Sequence, residues 1–260
     1  FFCTMILTYY QLSIFFLIFA RFSGMVLISP FFSMKSLFSL AKVGLVFWVS
    51  ILIMFVVPLP QTMPNSLFVY GFALLIELTI GLIIGFTANL IMMAIEFGGM
   101  LMDTQAGLSS ASVLDPTSGK NAALLELMMK YLSIMLFLII NGHHMVLSAI
   151  FESFSIMPLG QPVDFSAGSQ YLVSLGSALF MIGLKLAAPI ILVIFIVDFS
   201  FGILNKVAEQ VNVFQLGFQV KPTVAVIIFL GISPNFGAVL VEVIETVMDY
   251  LVNLLGFFVT

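Results

Sequence analysis

A serine-rich loop and a pair of histidines have the residue types that covalent catalysis would need. Gly107-Leu108-Ser109 matches the Gly-x-Ser of membrane serine proteases, in which a histidine on another helix activates the serine hydroxyl as a nucleophile. Ser109 with His143 or His144 would be such a dyad. Because the loop contains several other serines, a chance match is easy, and we interpret the chain as a protein that is not an enzyme.

The same part of the chain predicts neither a metal site nor a nucleotide site. Adjacent histidines on a helix point about 100° apart, whereas two ligands on one helix face are three or four residues apart. The run from Leu114 to Asn121 is similar to a phosphate-binding loop. That pattern, however, requires glycine in place of Leu114 and serine or threonine in place of Asn121. An Asp-Pro turn followed by Asn121 as a helix N-cap explains the run, and no cofactor is expected.

Four charged residues lie within or beside long apolar runs: Arg21, Glu77, Lys185 and Asp198. Ionisable groups inside a membrane are costly, so they usually serve a function. A small-solute or proton transporter would use them to bind substrate or to move protons. A multi-subunit assembly would use them as paired contacts between chains. The residues alone leave both uses open.

Membrane helices are the elements that must position these groups. Of the 260 residues, 62% are hydrophobic and only 8% are charged, against about 25% charged in a soluble domain. Such a chain cannot cover a water-soluble surface with charges, so most of its surface must contact lipid or partner protein. The net charge of −4 gives no electrostatic footprint for nucleic acid. The single cysteine, Cys3, excludes an internal disulfide.

Runs of about 20 apolar residues, enough to cross roughly 30 Å of hydrocarbon, predict an all-α, polytopic membrane protein with about six long apolar helices. They lie near residues 5–30, 43–57, 67–95, 129–151, 170–197 and 222–241. No basic residue precedes the first run, which favours a retained segment over a cleavable signal. Lysines fall in every second connection: Lys35, Lys42, Lys120, Lys130, Lys206 and Lys221. Under the positive-inside rule these three connections face the cytoplasm, and the termini and the two other loops face outward.

Two longer connections and the C-terminal helix carry further signals. Residues 96–130 contain a core of small and hydroxyl side chains, and residues 198–221 are predicted to form an amphipathic helix at the membrane surface or against a partner. Glu242, Glu245 and Asp249 share one face of a helix. Because an acidic stripe is costly in lipid, it should line water or meet a polar partner surface.

A stripe of small residues predicts a close contact between two helices. Gly81 and Gly85 form a Gly-x-x-x-Gly pattern that Ala88 extends on the same face. In lipid, small residues at a contact let two backbones approach closely and so maximise packing. The pattern predicts the contact and leaves its partner helix open.

The central loop and two later runs are specific enough to indicate a family. The loop reads Gly98-Gly99-Met100-Leu101-Met102-Asp103-Thr104-Gln105-Ala106-Gly107-Leu108-Ser109-Ser110-Ala111 and continues through Asp115-Pro116-Thr117-Ser118-Gly119-Lys120-Asn121. The later runs are Leu136-Phe137-Leu138-Ile139-Ile140-Asn141-Gly142-His143 and Val213-Phe214-Gln215-Leu216-Gly217-Phe218. Over essentially its whole length the chain resembles the FliR family of the flagellar type III export apparatus.

The resemblance implies a structural subunit of an export gate. Such a subunit is one copy in a helical complex with several FliP-like and FliQ-like subunits, and it contacts an FlhB-like subunit. The complex lies in the bacterial inner membrane at the flagellar basal body, with much of it raised out of the bilayer on the outer side, and it exports unfolded flagellar proteins. The homologous component of a virulence injectisome would keep the fold and change the cargo.

The resemblance also implies roles for named residues. The central loop lies in the pore and helps to plug it, and its residues are Ala106, Gly107, Leu108, Ser109, Ser110, Ala111, Ser112, Val113, Leu114, Asp115, Pro116, Thr117, Ser118, Gly119, Lys120 and Asn121. Subunit contacts are expected at Arg21, Glu77, Gly81, Gly85, Lys185, Glu242, Glu245 and Asp249. Residues 1–260 are expected to form a single membrane domain. Its parts are N-terminal helices at 1–95, the pore loop region at 96–130, middle helices at 131–197, and amphipathic and C-terminal helices at 198–260.

Overall fold

The computed structural model describes residues 2–30, 32, 38–57, 66–108, 124–160, 165–208, 210 and 212–256. These residues form seven helices: α1 Phe2–Ile28, α2 Ser39–Met54, α3 Leu67–Ala106, α4 Leu124–Ile139, α5 Gly142–Ile156, α6 Phe165–Val207 and α7 Val213–Gly256. The predicted all-α class is confirmed. A helix satisfies its backbone polar groups within one segment, which is why apolar runs of this length adopt it in lipid.

Among the described residues, four or five helices are able to cross a membrane. α1, α3, α6 and α7 pass by length and hydropathy, and α4 with α5 forms a fifth candidate bent by 66°. α2, at the predicted second span, has 16 residues, which gives about 24 Å at 1.5 Å per residue and falls short of roughly 30 Å of hydrocarbon. The predicted fourth span is broken at Asn141, whose φ of 58° is left-handed and therefore cannot continue a right-handed helix.

Three helices extend well beyond the segments predicted for them. α3, α6 and α7 contain 40, 43 and 44 residues, so each is about 60 to 66 Å long. That is about twice the hydrocarbon thickness, so each helix either projects out of the hydrocarbon or crosses it at a steep tilt.

Residues 198–221 were predicted to form one amphipathic helix, but the structure has the end of one helix and the start of the next in this range. Residues up to Val207 complete α6, and residues from Val213 begin α7. Asn212 accepts the backbone N–H of Gln215 at 3.2 Å, which is the bond of an N-cap residue. Asn212 therefore caps the start of α7 in the middle of the segment that was predicted as one continuous helix.

The helices contribute to two compact units. The first unit comprises residues 1–90, 141–176 and 244–260, and the second comprises residues 91–140 and 177–243. Phe22, Ile84 and Phe154 are fully buried in the first unit, and Met102 and Leu125 are fully buried in the second. The residues discussed below lie within one unit or the other.

Candidate functional site

Arg21 on α1 and Glu77 on α3 form an ion pair inside the first unit. The Nε of Arg21 donates to Oε2 of Glu77 at 2.5 Å, and the two side chains are 0% and 2% exposed. Nη1 donates to the carbonyl and hydroxyl oxygens of Ser153 at 3.0 and 3.1 Å, and Nη2 donates to the carbonyl oxygen of Met157 at 2.9 Å. The Phe154 ring lies 4.4 Å from the guanidinium carbon. The buried charges are therefore paired and hydrogen-bonded, as desolvated charges must be.

The second carboxylate oxygen of Glu77 binds the loop that follows α5. The backbone N–H of Gly160 donates to Oε1 at 3.1 Å. Gly160 has φ +76°, a conformation that glycine adopts at little cost. Arg21 and Glu77 thus connect α1, α3, α5 and this loop. Both residues were predicted to contact other subunits, but the structure places their contacts within the chain, because each neutralises the charge of the other.

Gly81 and Gly85 allow α1 and α3 to approach closely. A Cβ added to Gly81 would overlap the carbonyl oxygen of Arg21, and a Cβ on Gly85 would lie 2.6 Å from the carbonyl oxygen of Met25. Gly24 on α1 makes the reciprocal contact with the backbone of α3. The close helix contact predicted for Gly81 and Gly85 is therefore made with α1 of the same chain, where small residues permit backbone contact.

The predicted plug loop begins at the C-terminal end of α3. Ala106 is the last helical residue and is fully buried. The N–H of Gly107 donates to the carbonyl of Thr104 at 3.2 Å, and the N–H of Leu108 donates to the carbonyl of Asp103 at 3.1 Å. These two bonds, with φ +75° at Gly107, form a Schellman cap, which favours glycine at this position.

The loop ends where α4 begins, against the same helix. The carboxylate of Asp103 accepts the N–H of Leu125 at 3.0 Å and the N–H of Glu126 at 2.8 Å. One turn earlier on α3, a Cβ on Gly99 would lie only 2.6 Å from the Cα of Glu126. Glycine at this position therefore lets α4 start beside α3. The loop residues between these ends, Ser109 to Asn121, lie outside the described residues, and so does the candidate nucleophile among them.

A cavity of about 630 Å³ opens in the second unit beside Gly107. Its walls are the end of α3, the end of α6 and the start of α7, with polar side chains such as Gln105, Asn205 and Asn212. Asp198 and Lys221, which also line it, form an ion pair between α6 and α7. The cavity brings together the ends of two lysine-bearing connections, which the positive-inside rule places on one side of the membrane.

Three of the charged residues predicted to contact other subunits have exposed side chains. Lys185 on α6 and Glu242 and Glu245 on α7 are exposed. Asp249 lies on α7, and its side chain is outside the described part of the structure. A charge on the surface of an apolar helix must meet water, lipid headgroups or a polar partner.

The surface of the described helices is largely apolar. Trp48 on α2 is 67% exposed, and Phe195 and Phe199 on α6 are 68% and 65% exposed. Patches of this kind are covered by lipid or by another protein chain. These side chains and the exposed charges together give the surface that a membrane assembly would bury.

The rings of His143 and His144 are in contact in the first turn of α5, with centroids 4.2 Å apart and planes tilted by 38°. In the part of the chain that the structure describes, they belong to no group of three residues able to ligate a metal. They follow the helix break at Asn141, and the dipeptide Asn141-Gly142 is itself a turn signal. That signal could have located the break from the sequence.

Asp103, Gly99 and Ser153 are contact residues to which sequence reasoning assigned no role. Asp103 and Gly99 lie four residues apart in the central loop motif, so they share a helix face, and this spacing was the available signal. No local signal marks Ser153, which binds a residue 132 positions away.

Fold and site together define a polytopic helical membrane protein. Its buried charges are paired within the chain, and its exposed apolar surface is of the kind that lipid or other subunits cover. The family described as bacterial export proteins, family 1, matches residues 12–247. The chain belongs to this family.

The chain is similar to proteins of flagellar biosynthesis and of secretion. It is 32% identical over 245 residues to flagellar biosynthetic protein FliR of Pectobacterium carotovorum subsp. carotovorum, covering 92% of this chain and 93% of that protein. It is 30% identical over 207 residues to flagellar biosynthetic protein FliR of Escherichia coli K12, covering 79% and 78%. Secretion system apparatus protein SsaT of Salmonella typhimurium is 27% identical over 158 residues, covering 60% and 61%. The predicted resemblance to the FliR family is confirmed, and the predicted role in an export apparatus with it.

Proposed function

We propose that this chain is a structural subunit of a flagellar type III protein export gate, placed in the bacterial inner membrane at the flagellar basal body. The observation that carries the proposal is the extent of similarity to a FliR protein, which covers 92% of this chain and 93% of that relative. Similarity to the secretion protein SsaT covers 60% and 61%. The fuller match favours flagellar over virulence cargo.

The pairing of the charged side chains supports a structural role over solute transport. Arg21 and Glu77 are bonded to each other and to backbone and hydroxyl groups of the same unit. Asp198 is paired with Lys221. A transporter needs ionisable groups that can exchange partners with a substrate, whereas these four groups hold helices together.

The loop from Ala106 to Asn121 is proposed to line the pore of the complex and to plug it. Two features of its described ends support this. The Schellman cap at Gly107 and the Asp103 bonds to α4 attach the loop to rigid helices at both ends. Irregular backbone at membrane depth is tolerated where it lines a cavity, and the small side chains of the loop suit such a position.

The proposed partners are several FliP-like and FliQ-like subunits, one FlhB-like subunit and the exported flagellar proteins. Lys185, Glu242, Glu245 and Asp249 are proposed to contact these subunits, because the first three are exposed on apolar helices. α3, α6 and α7 are about twice as long as the hydrocarbon is thick. Helices of that length support an assembly that is partly raised out of the bilayer.

A loop deletion tests the plug. Removing residues 109–119 leaves Gly107 and Leu108 in the α3 cap. The remaining four residues can reach α4, because the amides of Leu108 and Leu125 both bind Asp103 and a chain spans about 3.3 to 3.6 Å per residue. In the native cell we expect the complex to assemble and to leak ions. A Gly/Ser linker of the original length is the matched control for loop composition.

Three outcomes of this experiment separate the proposals. An assembled complex that leaks supports the plug, and an assembled complex with unchanged ion permeability contradicts it. Loss of a proteolytic activity, repeated by Ser109→Ala, would make the chain a protease instead.

Native mass spectrometry after mild detergent purification tests the assembly itself. One copy of the chain in a large complex of small apolar subunits is expected, and a monomer or simple dimer contradicts the gate.

A further inference from the structure

Asp103 is bonded to both ends of the central loop. Its backbone carbonyl accepts the N–H of Leu108, two residues after the end of α3, at 3.1 Å. Its carboxylate accepts the N–H groups of Leu125 and Glu126 in the first turn of α4, at 3.0 and 2.8 Å. Both ends of the loop are therefore hydrogen-bonded to the same residue of α3.

The carboxylate caps the N-terminus of α4 from a neighbouring helix. The residue before α4 in the sequence is Ala123, which has no side-chain acceptor, whereas a helix N-terminus needs acceptors for its first amides. Asp103 supplies two acceptors from a neighbouring helix and is itself only 1% exposed. Its negative charge is also favourable at the positive end of the α4 dipole.

Gly99 brings the two helices close enough for these bonds. It precedes Asp103 by one helical turn, so both residues face α4. Its missing side chain leaves room for the Cα of Glu126, which a Cβ would meet at 2.6 Å. A second link between the same helices, from Glu96 to Lys130 at 2.9 Å, is 29% and 46% exposed and lies farther from the loop ends along both helices.

We propose that Asp103 is the positioning residue of the central loop, because it joins the two described ends of that loop. The proposal rests on the plug function proposed above and adds the device that holds the plug. The bond at the α3 end and the two bonds at the α4 end can be broken separately. Asp103→Ala removes the carboxylate and releases the α4 end, while the backbone carbonyl still holds Leu108. Gly107→Ala strains the left-handed cap and releases the α3 end.

The experiment combines hydrogen–deuterium exchange on the purified export complex with ion leakage in the native cell. With Asp103→Ala, exchange at the amides of Leu125 and Glu126 should rise about tenfold or more, as expected for loss of a hydrogen bond to a charged group. Exchange at Leu108 should rise in Gly107→Ala only. Both variants should leak ions. Asp103→Asn keeps one oxygen acceptor and the side-chain shape, so its exchange and leakage should be intermediate.

Glu96→Gln is the matched control, because it weakens the other link between α3 and α4 and leaves the loop ends untouched. Its assembly, amide exchange and ion leakage should equal those of the unmodified protein. Unchanged protection of Leu125 and Glu126 in Asp103→Ala overturns the anchoring. Lost protection with no leak, in cells where the 109–119 deletion does leak, overturns the positioning role. If the deletion itself fails to leak, the plug function fails, and the exchange data still decide whether Asp103 holds α4.

Discussion

Replacing Glu77 with alanine should destabilise the first unit, because Arg21 would keep its charge in a fully buried position without a counterion. Removing one partner of a buried ion pair costs about 3 to 5 kcal/mol. Arg21 would retain its bonds to the Ser153 carbonyl and hydroxyl and to the Met157 carbonyl, which favours the lower end of that range. The N–H of Gly160 would also lose its acceptor, but Gly160 is exposed, so water can replace the carboxylate oxygen at little cost. We therefore expect Glu77→Ala to lower the free energy of unfolding by about 3 to 5 kcal/mol.

The free energy of unfolding can be measured by SDS titration of the purified chain in mixed micelles, with helical circular dichroism as the signal. Glu96→Ala is the control on the same helix. Its partly exposed pair with Lys130 should contribute at most about 1 kcal/mol. Glu77→Gln keeps the shape and one oxygen acceptor, so its loss should fall between the two.

A double variant separates a buried pair from two independent contacts. Arg21→Met with Glu77→Leu removes both charges and fills the space with apolar atoms, and such replacements are often neutral or stabilising. The double variant should therefore be more stable than Glu77→Ala alone. The role assigned to this pair would be refuted if the losses in unfolding free energy of Arg21→Met and Glu77→Leu simply added up to that of the double variant. A loss below about 1 kcal/mol for Glu77→Ala would refute it as well.

Three further predictions concern packing, a surface pair and the loop serine. Gly81→Ala should lower thermal stability by about 1 to 3 kcal/mol through overpacking, because its Cβ would overlap α1 backbone. Gly71→Ala on the same helix meets open space and should gain up to about 1 kcal/mol, so equal effects would contradict the α1–α3 contact. Lys221→Met should cost at most about 1 kcal/mol, with a loss that shrinks as salt screens its pair with Asp198, and a salt-independent loss would argue against that pairing. Ser109→Ala should leave swimming motility unchanged on soft agar, and a non-motile strain would point to a chemical role for the hydroxyl.

The helices that could be predicted are those whose apolar runs are long and uninterrupted. α1, α3, α6 and α7 follow from length and hydropathy alone, because an apolar segment in lipid has few alternatives to a helix. Their ends were harder to predict, since α3 continues to Ala106 through polar residues that the sequence analysis assigned to a loop region. Local composition says little about how far a helix continues once it leaves the hydrocarbon.

The break between α4 and α5 coincides with a local turn signal in the sequence, Asn141-Gly142. Asn141 adopts φ 58° and Gly142 follows it. Residues 131–151 contain no Asp, Glu, Lys or Arg, so a search for long uncharged runs predicts one span. A turn dipeptide inside an apolar run can outweigh hydropathy when the two halves pack separately.

The sequence by itself determined that this protein is helical, lies in a membrane and belongs to an export family, because composition, apolar run length and a specific loop motif are local properties. It also identified Arg21, Glu77, Gly81 and Gly85 as residues with a role. The tertiary structure decided with what each of them pairs. Arg21 and Glu77 are 56 residues apart, and both pair within the chain because Gly81 and Gly85 bring α1 onto α3. A contact between distant segments depends on which helix faces meet, and that geometry is fixed only when the helices pack together.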